Sequence, residues 1–214
     1  MRRLLPLLPA ALSLVLFTGA GQQAPQRMYQ AYSAEQVAQL DKISAYMNSI
    51  HTLRSNFVQI GPDGGTDQGQ VYIDKPGRIR FSYNLPNPLL IVATNGRVYV
   101  KNSRLNTVDR ADLSDTPLGL LLNERVDLKT NKAVIGVAER EGNIVVRARS
   151  SSNRNDSNIT LVFALPGLEL RQWMVKDNQG GNTTVALQSL QTGVSIDPSL
   201  FAVPQKTVKQ SSRQ

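Results

Sequence analysis

Arg78-Ile79-Arg80-Phe81-Ser82-Tyr83 is the stretch that decides the fold. Successive side chains of a strand point to opposite faces, so Ile79, Phe81 and Tyr83 share one side, and Arg78, Arg80 and Ser82 the other. A helical period would mix the two sets. A strand with one apolar and one wet face belongs to an antiparallel sheet that is solvated on one side.

The period of two runs outward from there. Upstream, Phe57 and Gln59 alternate with polar neighbours as far as the turn Gly61-Pro62-Asp63-Gly64-Gly65. Val71-Tyr72-Ile73 then makes a strand ended by Lys75-Pro76. Downstream, residues 89–93 are apolar on both faces and Asn95-Gly96 follows. That dipeptide is a strong hairpin signal, because both residues tolerate positive φ. Residues 97–101 form the returning strand. Further on, Glu141-Gly142-Asn143 introduces a strand over 144–149, and Ile159, Leu161 and Phe163 mark another. Residues 168–176 lead through the Gly-containing turn at 177–181 to a strand over 183–190. The pattern predicts about ten strands joined mostly by hairpins.

Two helices interrupt it. Ser33-Ala34-Glu35-Gln36 reads as a capping box. Behind it Val37, Leu40, Ile43, Met47 and Ile50 recur at spacings of three and four, an amphipathic helix of about four to five turns. Thr116-Pro117-Leu118-Gly119-Leu120-Leu121-Leu122 predicts a short, very apolar helix with Thr116 as N-cap and Pro117 at its first position. The fold class is therefore mainly β (α+β). A sheet with a single apolar face has to close into a barrel or take helices on that face.

At the start, Arg2 and Arg3, an apolar run over 4–17 and Thr18-Gly19-Ala20 make residues 1–20 a cleavable export signal. One domain is expected over 21–204, with a polar tail over 205–214. There is no cysteine, so the core must hold the fold without disulfides. The formal charge is +8, but the basic residues are scattered. Scatter and export argue for a solvated sheet face rather than nucleic-acid binding.

Catalytic groups are sparse. His51 is the only histidine, and it falls where the first helix gives way to a strand, a position that suits the helix dipole. A zinc site or a Ser-His-Asp triad would need more than this one imidazole. Most acidic residues sit in turns, which leaves paired-carboxylate hydrolysis a poor fit. The chain reads as a binder, not an enzyme, with no cofactor and no metal.

The order of these features resembles the LolA family, the outer-membrane lipoprotein carrier proteins of Gram-negative bacteria. The stretches that carry the resemblance begin with the capped helix, Phe57 and Gln59, Gly69, Lys75-Pro76 and the strand from Arg78 to Tyr83. They continue with Pro86, Asn95-Gly96, the apolar helix, Leu170-Arg171-Gln172-Trp173 and Ile196-Asp197-Pro198-Ser199-Leu200-Phe201. The resemblance implies an unclosed antiparallel half-barrel whose concave face is lidded by helices. It also implies a periplasmic monomer that takes lipoproteins, by their acyl chains, from an inner-membrane ABC transporter to an outer-membrane acceptor. In that family a basic residue just before the proline ties the lid shut. The matching position is Lys75, which keeps the charge of the usual arginine but loses its planar fork of donors.

On that reading Phe57, Ile79, Phe81 and Tyr83 line the lipid cavity from the sheet, and Leu118, Leu121 and Leu122 form the underside of the lid. Two alternatives share the architecture: a carrier of free lipids or glycolipids, and a lipid sensor. Such a sensor is expected to carry a further domain. The lipidated acceptor itself would need a cysteine after the signal.

Overall fold

The computed structural model describes residues 32–206, apart from residues 117, 150–157 and 178. The export signal over 1–20 and most of the polar tail, 207–214, lie outside the described residues.

Eleven strands form one antiparallel sheet in the order β6-β5-β4-β3-β2-β1-β11-β10-β9-β8-β7. In chain order they are β1 Thr52–Ile60, β2 Thr66–Asp74, β3 Arg78–Tyr83, β4 Leu89–Thr94, β5 Arg97–Asn102 and β6 Thr107–Asp112. They continue with β7 Val134–Arg140, β8 Asn143–Arg149, β9 Asn158–Ala164, β10 Glu169–Lys176 and β11 Asn182–Thr192. The first and last strands, β1 and β11, pair in the middle, and β6 and β7 are the two unpaired edges. The sheet is therefore unclosed. Bulges at Arg54/Asn56, Leu170/Gln172 and Val134/Gly136 add twist where it curves. Ser55 sits in the first, buried, and its hydroxyl donates to the Gln188 carbonyl at 2.8 Å.

The β3 alternation holds: Ile79 and Phe81 are buried on the concave face and Arg78 and Arg80 lie on the other. Asn95 and Gly96 take φ of 51° and 73°, as the hairpin requires. The extra strand beyond the expected ten comes from edge strands that carry no alternating pattern. β6, Thr-Val-Asp-Arg-Ala-Asp, is exposed from Asp109 to Asp112, and its charges blunt a free edge against pairing with other chains.

Helix α1, Ala34–Ser49, has both halves of its capping box in place. It buries Leu40, Ile43 and Met47 against the sheet, each worth roughly 1.5–3 kcal/mol of removed apolar surface. His51 lies two residues beyond its end and is exposed. The chain crosses from β6 to β7 through a 3-10 turn at Leu113–Asp115, a four-residue helix α2 at Gly119–Leu122, and an irregular segment that buries Val126 and Leu128. The expected Thr116 cap is not formed. Its hydroxyl donates back to the Leu113 carbonyl at 2.8 Å, closing the preceding 3-10 turn, and Leu118 stands at the N-cap instead. Pro117 lies outside the described residues. A single apolar core joins α1, α2 and the concave face from Val98 to Val134.

A second 3-10 turn, Pro198–Phe201, packs on the outer face of β3 and β4. Phe201 is buried there with the Arg78 guanidinium 5.6 Å from its ring centre, and Arg80 donates to the Leu200 carbonyl at 2.9 Å.

Candidate functional site: an apolar cavity under the helices

The antiparallel register stacks aromatic residues at one place on the concave face. Phe57 pairs across to Gly69, and Gly69 to Tyr83, so the glycine lies between two rings. A Cβ on Gly69 would stand 2.9 Å from the Phe57 ring, which therefore packs directly over its backbone. Phe57 makes edge-to-face contacts with Phe81 at 5.4 Å and Tyr83 at 5.2 Å, and Phe81 meets Trp173 of β10 at 6.1 Å. Such pairs add about 0.5–1.5 kcal/mol each beyond burial.

Beside this cluster is a cavity of about 280 Å³ lined by Gln59, Phe81, Tyr83, Ile91, Thr116, Leu118, Trp173, Val175 and Val185. It lies near one end of the sheet: Gln59, Tyr83 and Val175 are each within one residue of the end of their strand. Tyr83 donates its hydroxyl proton to Gln59 Oε1 at 2.8 Å. Burial, with the charge of Asp67 nearby, pushes its pKa up to about 12. The same end of the sheet carries Leu85 and Leu105, both largely exposed.

Of the residues picked from sequence, Phe81, Tyr83 and Leu118 come together in the lining. Phe57 stands behind them in ring contact. Ile79, Leu121 and Leu122 lie in the continuous core outside the lining. Trp173, Val175 and Val185 line the cavity without having been singled out. Their signal was the alternation of Trp173 with Val175 and the pairing that sets Val185 opposite Trp173.

Lys75, after the end of β2, donates from Nζ to the Met47 carbonyl at 2.6 Å, in the last turn of α1. Its backbone N–H donates to the His51 carbonyl at 2.8 Å. Burial lowers the pKa of its amine. The carbonyls at a helix C-terminus have no partner within the helix and sit at the negative end of its dipole, so a cation is favoured there. Two residues on, the Gly77 N–H donates to the Leu122 carbonyl at the end of α2. The hairpin from β2 to β3 thus touches the ends of both helices, at the end of the sheet opposite the cavity rim.

Among the described residues, no three His, Asp or Glu side chains gather as a metal ion would need, and no helix is long and apolar enough to cross a membrane.

The family model for the outer membrane lipoprotein carrier protein LolA matches residues 48–204, which include every strand and every residue of the cavity. The chain belongs to the LolA family. Among LolA relatives, the outer-membrane lipoprotein carrier protein of Methylococcus capsulatus is 28% identical over 169 residues, covering 75% of this chain and 80% of that one. The carrier protein of Chromobacterium violaceum is 25% identical over 209 residues, with 94% of each chain covered. A solved LolA superfamily protein from Nitrosomonas europaea superposes with a TM-score of 0.42 at 9% identity, over 77% of this chain and 97% of that one.

Proposed function

We propose that this protein is a periplasmic lipoprotein carrier. It shields lipoprotein acyl chains beneath α1 and α2 while they pass from an inner-membrane ABC transporter to an outer-membrane acceptor. The observation that carries this reading is the apolar cavity at one end of an unclosed sheet, continuous with the core under the two helices. Membership of the LolA family supports it.

The energetics fit the role. Three acyl chains hold on the order of 45 methylenes, at roughly 0.8 kcal/mol each, so bare transit through water would cost some tens of kcal/mol. The cavity of 280 Å³ takes on the order of ten groups of the size of a water molecule, each about 30 Å³. It is therefore the closed form. Cargo enters by parting the helices from the sheet, and residues that are core when the carrier is empty, Phe57, Ile79, Leu121 and Leu122 among them, become lining when it is full. Lys75 acts as the latch, because it fastens the end of α1 to the β2–β3 hairpin, at the end of the sheet opposite the cavity rim.

The test is release. Mature protein is added to spheroplasts making labelled lipoprotein, and the soluble fraction is examined for a one-to-one complex with a single copy of the carrier. A complex is expected, and Phe81→Glu, which puts a charge in the cavity wall, is expected to abolish it while leaving the β circular-dichroism signal. Absence of release by the unmutated protein, with lipid nonetheless extracted from it, would transfer the function to a free-lipid carrier or sensor.

A further inference from the structure

The wall of the cavity is apolar except for the side chains of Gln59, Tyr83 and Thr116 and the indole N–H of Trp173. The Thr116 hydroxyl proton is already given to the Leu113 carbonyl. Gln59 and Tyr83 share one hydrogen bond, at 2.8 Å. An amide NH₂ and a hydroxyl carry three donor protons between them, and whichever group donates in that bond, two remain. These two groups therefore supply the spare side-chain donors at the rim, where strands β1 and β3 end. Asp67 is paired directly across from Gln59, so its side chain lies on the same face. It is half-buried, and no cation among the described residues forms an ion pair with it. Its negative charge is felt by the Tyr83 hydroxyl.

We propose that Gln59 and Tyr83 form a donor collar that holds the ester or amide carbonyls of an acylated cargo at the cavity rim, while Asp67 turns away lipids with an anionic head. The inference rests on the carrier reading and narrows its cargo to neutral acyl groups. The geometry matches such a ligand: hydrocarbon lies against Phe81, Leu118, Trp173 and Val185, and the first polar atoms of the chain meet the rim. A carbonyl accepts from these donors. An ether oxygen is a poorer acceptor, and a carboxylate meets Asp67 across a partly desolvated opening, where like charges are weakly screened.

The experiment displaces an apolar dye from the full-length mature protein with three probes of one chain length: a fatty-acid methyl ester, the alkyl methyl ether and the free fatty-acid anion. The ester is expected to bind about three- to tenfold more tightly than the ether, the yield of one good hydrogen bond. Gln59→Leu should bring that ratio to near one. Tyr83→Phe, which preserves shape, should reduce it. Asp67→Asn should improve the anion relative to the ester by roughly fivefold at low salt, and by less as salt rises. Equal binding of ester and ether by the unmutated protein, or an anion-to-ester ratio untouched by Asp67→Asn, would overturn the collar and leave the carrier reading standing. Failure of all three probes to displace the dye would overturn both.

Discussion

Helix α1 meets the two halves of the sheet on different terms. Towards β7 to β10 it is fastened many times over. The Tyr32 hydroxyl, next to the helix start, donates to the Val134 carbonyl at 3.2 Å, and Gln36 Nε2 to the Val137 carbonyl at 3.2 Å. The Tyr46 hydroxyl accepts from the Leu170 N–H at 3.1 Å and its ring meets Phe163 at 5.9 Å. To the irregular segment that leads into β7, Asn48 makes two hydrogen bonds with the Val126 backbone, at 2.9 and 2.8 Å, and the Ser44 hydroxyl accepts from the Leu128 N–H at 3.0 Å. Towards β2 and β3, the one side-chain hydrogen bond to the helix among the described residues is from Lys75, in the β2–β3 turn, to Met47. Both flanks are sealed by apolar packing, but that packing has no direction and little memory of register. The directional bonds make the β7 side a fixture and the β2 side a seam. The proposed lid opens along the seam, and the cavity spans both halves, with Phe81, Tyr83 and Ile91 on the seam side and Trp173 and Val175 on the other.

The largest loss is expected at Asn48. Asn48→Ala leaves the N–H and C=O of buried Val126 without these partners, at about 1–3 kcal/mol for the pair. For a domain of this size that is a fall in Tm of roughly 2–10 °C. Thermal unfolding followed by circular dichroism measures it. An unchanged Tm would mean that the β7 side is no better fixed than the other.

Lys75→Leu acts on the seam, and its effect on the whole fold is expected to be smaller, about 1 kcal/mol, because the position is only half-buried and apolar packing remains. Local opening is where it registers. Amide hydrogen exchange in the last turn of α1 and in α2 should quicken several-fold, with β8 and β9 unchanged. Uniform quickening across the molecule would deny Lys75 a latch role. Lys75→Arg, with more donors, is expected to slow exchange at the same amides.

This division was partly legible in the sequence. The capping box, the hairpin at Asn95-Gly96 and the one-sided strands depend on neighbours in the chain, and they are where the sequence placed them. β6 was not read, since a charged edge strand shows no period of two. The Thr116 cap failed because a hydroxyl can serve the turn before it as well as the helix after it. Core and cavity could not be separated at all. Ile79 and Phe81 have the same spacing and face, and only the packing of α2 and Trp173 decides which one borders empty space. The bond from Lys75 to Met47 joins two elements whose meeting no local pattern encodes.

The finest test of the seam uses Tyr83 as a reporter, since it lies on the loosely held side and its ionisation depends on staying dry. Its folded pKa is raised to about 12, with burial the first cause and the Asp67 charge the second, while the hydrogen bond to Gln59 works the other way. A raised pKa means that the folded state keeps a proton the unfolded chain has already lost. That contribution to stability is complete below the ordinary tyrosine value near 10 and is lost as pH rises through about 12. Spectrophotometric titration of the tyrosines, compared with Tyr83→Phe, isolates this one group. A value near 12 means that the seam is shut in the empty protein. A value near 10 means that water reaches the cavity rim and that the helix is closed on its β7 side alone. In Lys75→Leu the titration should move from the first value towards the second. If it stays where it was, the apolar packing along the seam keeps Tyr83 dry by itself, and Lys75 governs how the lid is positioned and not whether it is closed.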